Sequence, residues 1–155
     1  MTPWESEYTS LLGAVAAHWL SAGPFMFDIG PGWIGLVREC HQAVVSEFPH
    51  YSLRAVEQKE AELAFHAWPL PWGPQDCAGS SNQAWHIQDR QLHRITYRFA
   101  ARSQSVCERC GQPGTPRETR PSWDMVLCDR CELAVPEDFI ERVRQLQDYM
   151  QAFTL

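Results

Sequence analysis

Four cysteines carry the clearest chemistry in the chain. Cys107-x-x-Cys110 is followed, after 17 residues, by Cys128-x-x-Cys131. Zinc takes four thiolates in a tetrahedron, and each Cys-x-x-Cys turn sets two sulfurs on one side of an ion. Gly111, directly after the first pair, permits the positive φ that turns backbone N–H groups toward the sulfurs. Gly114 supports a tight reversal, and Trp123 to Leu127 reads as the strand that returns the chain to the metal. The competing readings are a redox dithiol or two disulfides. Six cysteines in a chain expected to carry no secretory leader favour metal binding over both. The expected cofactor is therefore one structural Zn2+ held by Cys107, Cys110, Cys128 and Cys131.

A catalytic zinc keeps one coordination position open, and four cysteines close the shell. The deaminase pattern, His-x-Glu with Pro-Cys-x-x-Cys, is missing, and His93, the nearest preceding histidine, lies outside the module. The metal is expected to supply folding energy, with no catalytic residue assigned and a non-enzymatic protein expected. Cys40 lies on an apolar helical face and reads as a buried structural thiol, with His41 pointing elsewhere. Cys77 sits in a loop with nothing nearby to lower its pKa. His18, His50, His66 and His86 are scattered without ligand spacing. Glu57, Glu60 and Glu62 could mimic a carboxylate site, but a solvated turn is the simpler reading. No P-loop, dinucleotide glycine motif or nucleophile elbow occurs.

Charge separates the halves. Residues 1–89 hold 10 acidic and 3 basic side chains, whereas residues 90–132 hold 8 arginines and 5 acids. The net charge is −6. An acidic front half argues against wholesale nucleic-acid binding and fits either simple solubility or a basic protein partner. Arg90, Arg94, Arg98 and Arg102 recur every four residues and form a stripe if their segment is helical. That stripe is a candidate surface for nucleic acid or a partner. Solvation, or pairing with the acidic half, is the favoured alternative. Among the seven tryptophans, Trp33, Trp68 and Trp72 are candidate partner anchors.

These residues need elements to position them. Thr2-Pro3-Trp4-Glu5 reads as a capped helix start, and Trp4, Tyr8, Leu11, Leu12, Val15, Trp19 and Leu20 continue at helical spacing to Gly23-Pro24. Residues 25–33 read as a loop with turn residues at its end. A second helix follows, with Trp33, Leu36, Val37, Cys40 and Val44 on one face, stopping near Phe48-Pro49. Residues 51–68 read as two strands joined around 58–61, with helix as the competitor. Residues 69–83 are rich in Pro, Gly, Ser and Asn and read as a flexible loop. A third helix is expected from about Asn82 to Arg102, with Trp85, Leu92, Ile95 and Phe99 inward. After the cysteine module, Pro136 opens a last amphipathic helix.

Three stretches together resemble a family of small uncharacterised bacterial and phage proteins. They are Gly32-Trp33-Ile34-Gly35-Leu36-Val37, Val56-Glu57-Gln58-Lys59-Glu60-Ala61-Glu62-Leu63-Ala64-Phe65, and Cys107-Glu108-Arg109-Cys110-Gly111-Gln112-Pro113-Gly114. The resemblance spans about residues 30–132 and implies a small α+β fold with a central hairpin and a terminal zinc module. The family carries glycines where Ala61 and Glu62 stand, and its last ligand is often histidine rather than Cys131.

The expected architecture is a mainly helical α+β body over 1–104 and a zinc-ribbon or treble-clef-like module over 105–132. A helix over 133–155 is expected to pack on the body. The expected function is a zinc-stabilised protein-binding module, with an immunity or antitoxin-like inhibitor of a basic toxin as its finer form. A nucleic-acid-binding accessory or regulator is the alternative. No apolar run approaches the length of a membrane span, so the expected location is cytoplasmic with no membrane partner.

Overall fold

The computed structural model describes residues 2–20, 26–69, 83–119 and 123–134. It is a mixed α+β fold with a three-stranded sheet in the order β1-β2-β3 and a two-stranded sheet formed by β4 and β5. Helix α1 spans Pro3–Ala16, and its start is fixed by the Thr2 N–H donating to the Glu5 carboxylate at 2.5 Å. The helix ends earlier than its apolar spacing suggests. Trp19 leaves it to form a parallel bridge with Leu53, and the Leu20 N–H donates to the Leu53 carbonyl at 3.1 Å. A sheet partner more than thirty residues away overrides the local helical period there.

Strand β1 (Met26–Asp28) replaces the expected loop. It pairs in parallel with β2 (Ser52–Lys59), Phe27 lying beside Val56. Parallel neighbours need a crossover, and a 3-10 turn at Pro31–Trp33 with helix α2 (Ile34–Glu47) supplies it. Strand β3 (Glu62–Trp68) returns antiparallel to β2, with Lys59 opposite Glu62 and Val56 opposite Phe65. This settles residues 51–68 as a hairpin. Its two-residue turn places Glu60 at φ 50° and Ala61 at φ 60°. Such turns match the twist of the flanking strands and favour glycine or asparagine. Ala61 thus takes a left-handed conformation at a turn position that favours glycine.

Helix α3 (Gln83–Ser103) closes the core. Trp85, Leu92, Ile95 and Phe99 are all buried, as their spacing requires. Leu92, Ile95 and Phe99 share one apolar cluster with Leu11 and Val15 of α1, Val37, Cys40 and Val44 of α2, and Leu53, Val56, Leu63 and Phe65 of the sheet. Val126 belongs to the same cluster, so the C-terminal module shares the core of the body. The expected loop at 69–83 and helix at 133–155 fall almost wholly outside the described residues.

Candidate metal centre

The module begins where α3 ends. Val106 bridges Pro113, and between them the chain makes a tight turn in which the Gly111 N–H donates to the Cys107 carbonyl at 2.8 Å. Gly111 holds φ 76°, the left-handed value its place after the first cysteine pair suggested. Strand β4 (Thr115–Thr119) and strand β5 (Trp123–Leu127) form a hairpin, with Thr115 opposite Leu127. Short helix α4 (Asp129–Glu132) follows at once, with Cys128 as its N-cap and Cys131 inside it. One pair of cysteines therefore comes from a turn and the other from the start of a helix.

These elements converge. The four sulfurs of Cys107, Cys110, Cys128 and Cys131 all lie within 4.8 Å of one another, a grouping that could hold a metal ion. The Cys110 and Cys128 sulfurs are 3.7 Å apart, far beyond the ≈2.05 Å of a disulfide. Cys107 is fully buried and Cys110 exposed, so the group opens to one side. The N–H of Cys131 in the first helical turn holds the Cys128 thiol down to about 7. Desolvation, followed by bonds to the neighbouring thiols, pushes Cys131 up to about 12. A positive ion among four such sulfurs favours every thiolate at once.

The surroundings hold the group in place. Arg117 of β4 reaches Asp129 at 2.7 Å and Glu132 at 2.5 Å, tying the hairpin to α4. The Glu108 N–H donates to the Val126 carbonyl at 3.0 Å, tying the cysteine turn to β5. The same turn sits on the body through main chain. The Gly32 N–H donates to the Glu108 carbonyl at 2.8 Å, and the Trp33 indole N–H donates to the Val106 carbonyl at 2.8 Å. A Cβ on Gly32 would meet the Cys107 carbonyl oxygen at 2.2 Å, so only glycine fits. Gln58 of β2 donates to the Asp124 carbonyl, adding a third tie, this one to β5.

Other expected site residues fall differently. Trp33 is no partner anchor: it is 0% exposed, and its one polar atom is spent inside the molecule. Trp68 is half-buried opposite Ser52, while Trp72 and Cys77 lie outside the described residues. The arginine stripe exists as an exposed run on α3. Arg102, however, pairs with Glu39 at 2.8 Å, and both Arg98 and Arg102 lie over the Phe99 ring. Pairing with the acidic half thus accounts for the end of the stripe near the metal group. Cys40 is buried as expected, and burial pushes its thiol up to about 12. Glu57 meets His66 at 3.3 Å and Glu62 accepts from Gln104 at 3.2 Å, so these two carboxylates of the Glu57, Glu60 and Glu62 set are bonded to different partners.

One histidine arrangement escapes sequence reading. His18 stacks on Tyr51 at 4.0 Å, and the His41 Nδ1 lies 2.8 Å from the Tyr51 hydroxyl. The spacing of His18, His41 and Tyr51 carries no signal, because three separate elements bring them together. His93 meets Asp89 at 3.3 Å, and this pair was legible, since residues four apart share a helix face. No helix among the described residues is long and apolar enough to cross a membrane. Comparison with protein-family models, curated proteins and solved structures gives no match.

Proposed function

We propose that the chain is a non-enzymatic protein-binding module whose C-terminal part is folded by one structural zinc ion in a treble-clef-like arrangement. The carrying observation is the sulfur geometry. Zinc–sulfur bonds of about 2.3 Å in a tetrahedron place sulfurs roughly 3.8 Å apart, and Cys110 and Cys128 stand at 3.7 Å. Four thiolates fill the shell and leave no position for an activated water. The zinc then links the turn at 107–111 to α4 and supplies folding energy, on the scale of about 10–16 kcal/mol for zinc-finger peptides.

Metal analysis of the purified protein tests this. One zinc per chain is expected, with a tetrahedral thiolate spectrum after cobalt replacement. Cys110→Ser or chelation is expected to loosen residues 105–134 and lower the unfolding midpoint. A chelated protein that keeps its full cooperative melt would refute the zinc reading.

The acidic residues 1–89 support a basic protein as the partner, and an inhibitor of a basic toxin is the finer form of this proposal. Native mass spectrometry after pull-down from the host tests it, and a chain that emerges alone counts against it. The exposed Arg90 and Arg94 favour one alternative, nucleic-acid binding. Affinity for DNA or RNA that falls steeply with salt would select it, and no binding even at low salt would remove it.

A further inference from the structure

Strand β3 is an edge strand among the described residues, with β2 on one side only. Its main-chain directions follow from the hairpin. Lys59 and Glu62 flank the two-residue turn and form its first hydrogen-bonded pair, and pairing alternates from there. Ala64 and His66 therefore turn their main-chain groups toward β2, while Leu63 and Phe65 turn theirs outward. Leu63 confirms the direction, because its N–H donates outward to the Ser103 hydroxyl of α3 at 2.8 Å. Phe65 is also among the residues that line a cavity of about 310 Å³ between β3 and α3.

The walls of this cavity differ in character. The helix side presents His93, Thr96, Tyr97 and Ala100, which recur at helical spacing, and Tyr97 is 66% exposed. The hairpin side presents Glu60, Glu62, Ala64 and His66. Carboxylates of Glu57 and Asp89 stand behind the two histidines, each at 3.3 Å. Lys59 is the one basic Lys or Arg side chain among the lining residues, and Arg90 and Arg94 lie outside the lining. An open strand edge beside a helix is a geometry in which extended peptides bind, main-chain bonds giving affinity and alternate side chains giving specificity.

We propose that this groove takes an extended segment of a partner protein, bearing lysine or arginine at alternate positions, which adds as a strand beside β3. The inference rests on the protein-binding reading above and narrows it to a surface and a ligand chemistry. The segment's main chain pairs with the outward N–H and carbonyl of Phe65. Its basic side chains meet Glu60 and Glu62, and their methylene stems lie along Tyr97. Small residues at Ala64 and Ala100 leave room for the added backbone.

A displayed library of random peptides of about ten residues, panned on the metal-loaded full chain, tests this. Expected are sequences with lysine or arginine at alternate positions, whose binding slows amide exchange at Phe65. Methylating alternate peptide nitrogens should abolish binding. Glu62→Lys should weaken it about tenfold, the combined loss of one attraction and gain of one repulsion. Tyr97→Ser, at an exposed helix position, should weaken binding without disturbing the fold. Enriched acidic peptides, or protection away from Phe65, overturn the groove while leaving a protein-binding role standing. A dimer of the chain that protects Phe65 without peptide overturns it as well, as does a Phe65 amide already slow in the free monomer. If no peptide binds yet native mass spectrometry retains a partner, the groove alone fails. If neither binds, the protein-binding reading fails with it.

Discussion

Replacing Gly32 with alanine tests the seat of the metal group directly. The added Cβ would lie 2.2 Å from the Cys107 carbonyl oxygen, 2.4 Å from the Gly111 nitrogen and 2.9 Å from the Cys110 nitrogen. All three are main-chain atoms of one tight turn, so no side chain can swing aside. The turn must withdraw by about 1 Å to reach ordinary contact. That movement strains the bonds from the Gly32 N–H to Glu108 and from the Trp33 indole to Val106, both 2.8 Å long. Overpacking costs about 1–3 kcal/mol, and a buried donor left unmade costs about 1–3 kcal/mol. The sum is about 2–6 kcal/mol, a large share of the stability of an ordinary domain. Gly35 is the internal control. It lies three residues on, in the first turn of α2, with open space where its Cβ would go. Gly35→Ala should gain from a few tenths to about 1 kcal/mol through helix propensity. Urea unfolding followed by circular dichroism in the presence of zinc would read both, with the midpoint falling for one variant and rising for the other. A Gly32→Ala protein within about 0.5 kcal/mol of the parent, with its metal retained, would refute the close main-chain seat.

Three further outcomes follow from the body. Ser103→Ala should cost about 1–3 kcal/mol, because it strips the Leu63 N–H of its acceptor at a fully buried site; an unchanged urea midpoint would contradict this. Glu60→Asn should stabilise by about 0.5–1 kcal/mol, since asparagine tolerates the left-handed backbone better, and thermal melting would show it. Burial, and then the neighbouring His18, lowers the pKa of His41. The unfolded chain then binds the extra proton more readily, so this contribution is intact above pH about 6.5 and lost as pH falls from there through the folded pKa. Removing that titration with His41→Asn should reduce the fall in stability on acidification; an equal fall in variant and parent would refute it.

The elements that were legible in the sequence are those governed by nearby residues. The spacing of Cys107 and Cys110, and of Cys128 and Cys131, announces a grouping that could hold a metal ion, and 3.6-residue periodicity placed Trp85, Leu92, Ile95 and Phe99 on the buried face of α3. The hairpin at 52–68 was legible as two strands, although Glu60 and Ala61 lack the usual turn residues. What escaped depends on distant partners. Met26 to Asp28 becomes a strand because β2 lies beside it, and Trp19 leaves its helix to meet Leu53. Trp33 looked like an anchor because tryptophan is common at interfaces, yet its ring lies wholly inside. The histidines around Tyr51 and the groove between β3 and α3 are products of packing, and no local spacing encodes them.

The glycine seat at Gly30 and Gly32 also constrains how the sequence can drift. A Cβ at Gly30 would strike the Glu108 carbonyl oxygen at 2.1 Å, as one at Gly32 strikes Cys107. Contact between two backbones cannot be retuned by exchanging side chains, the usual way a packed interface adapts. Positions 30 and 32 are thus bound in their history to a stretch that lies more than seventy residues away. A descendant that keeps the cysteine turn keeps both glycines; one that loses the turn is free to fill them.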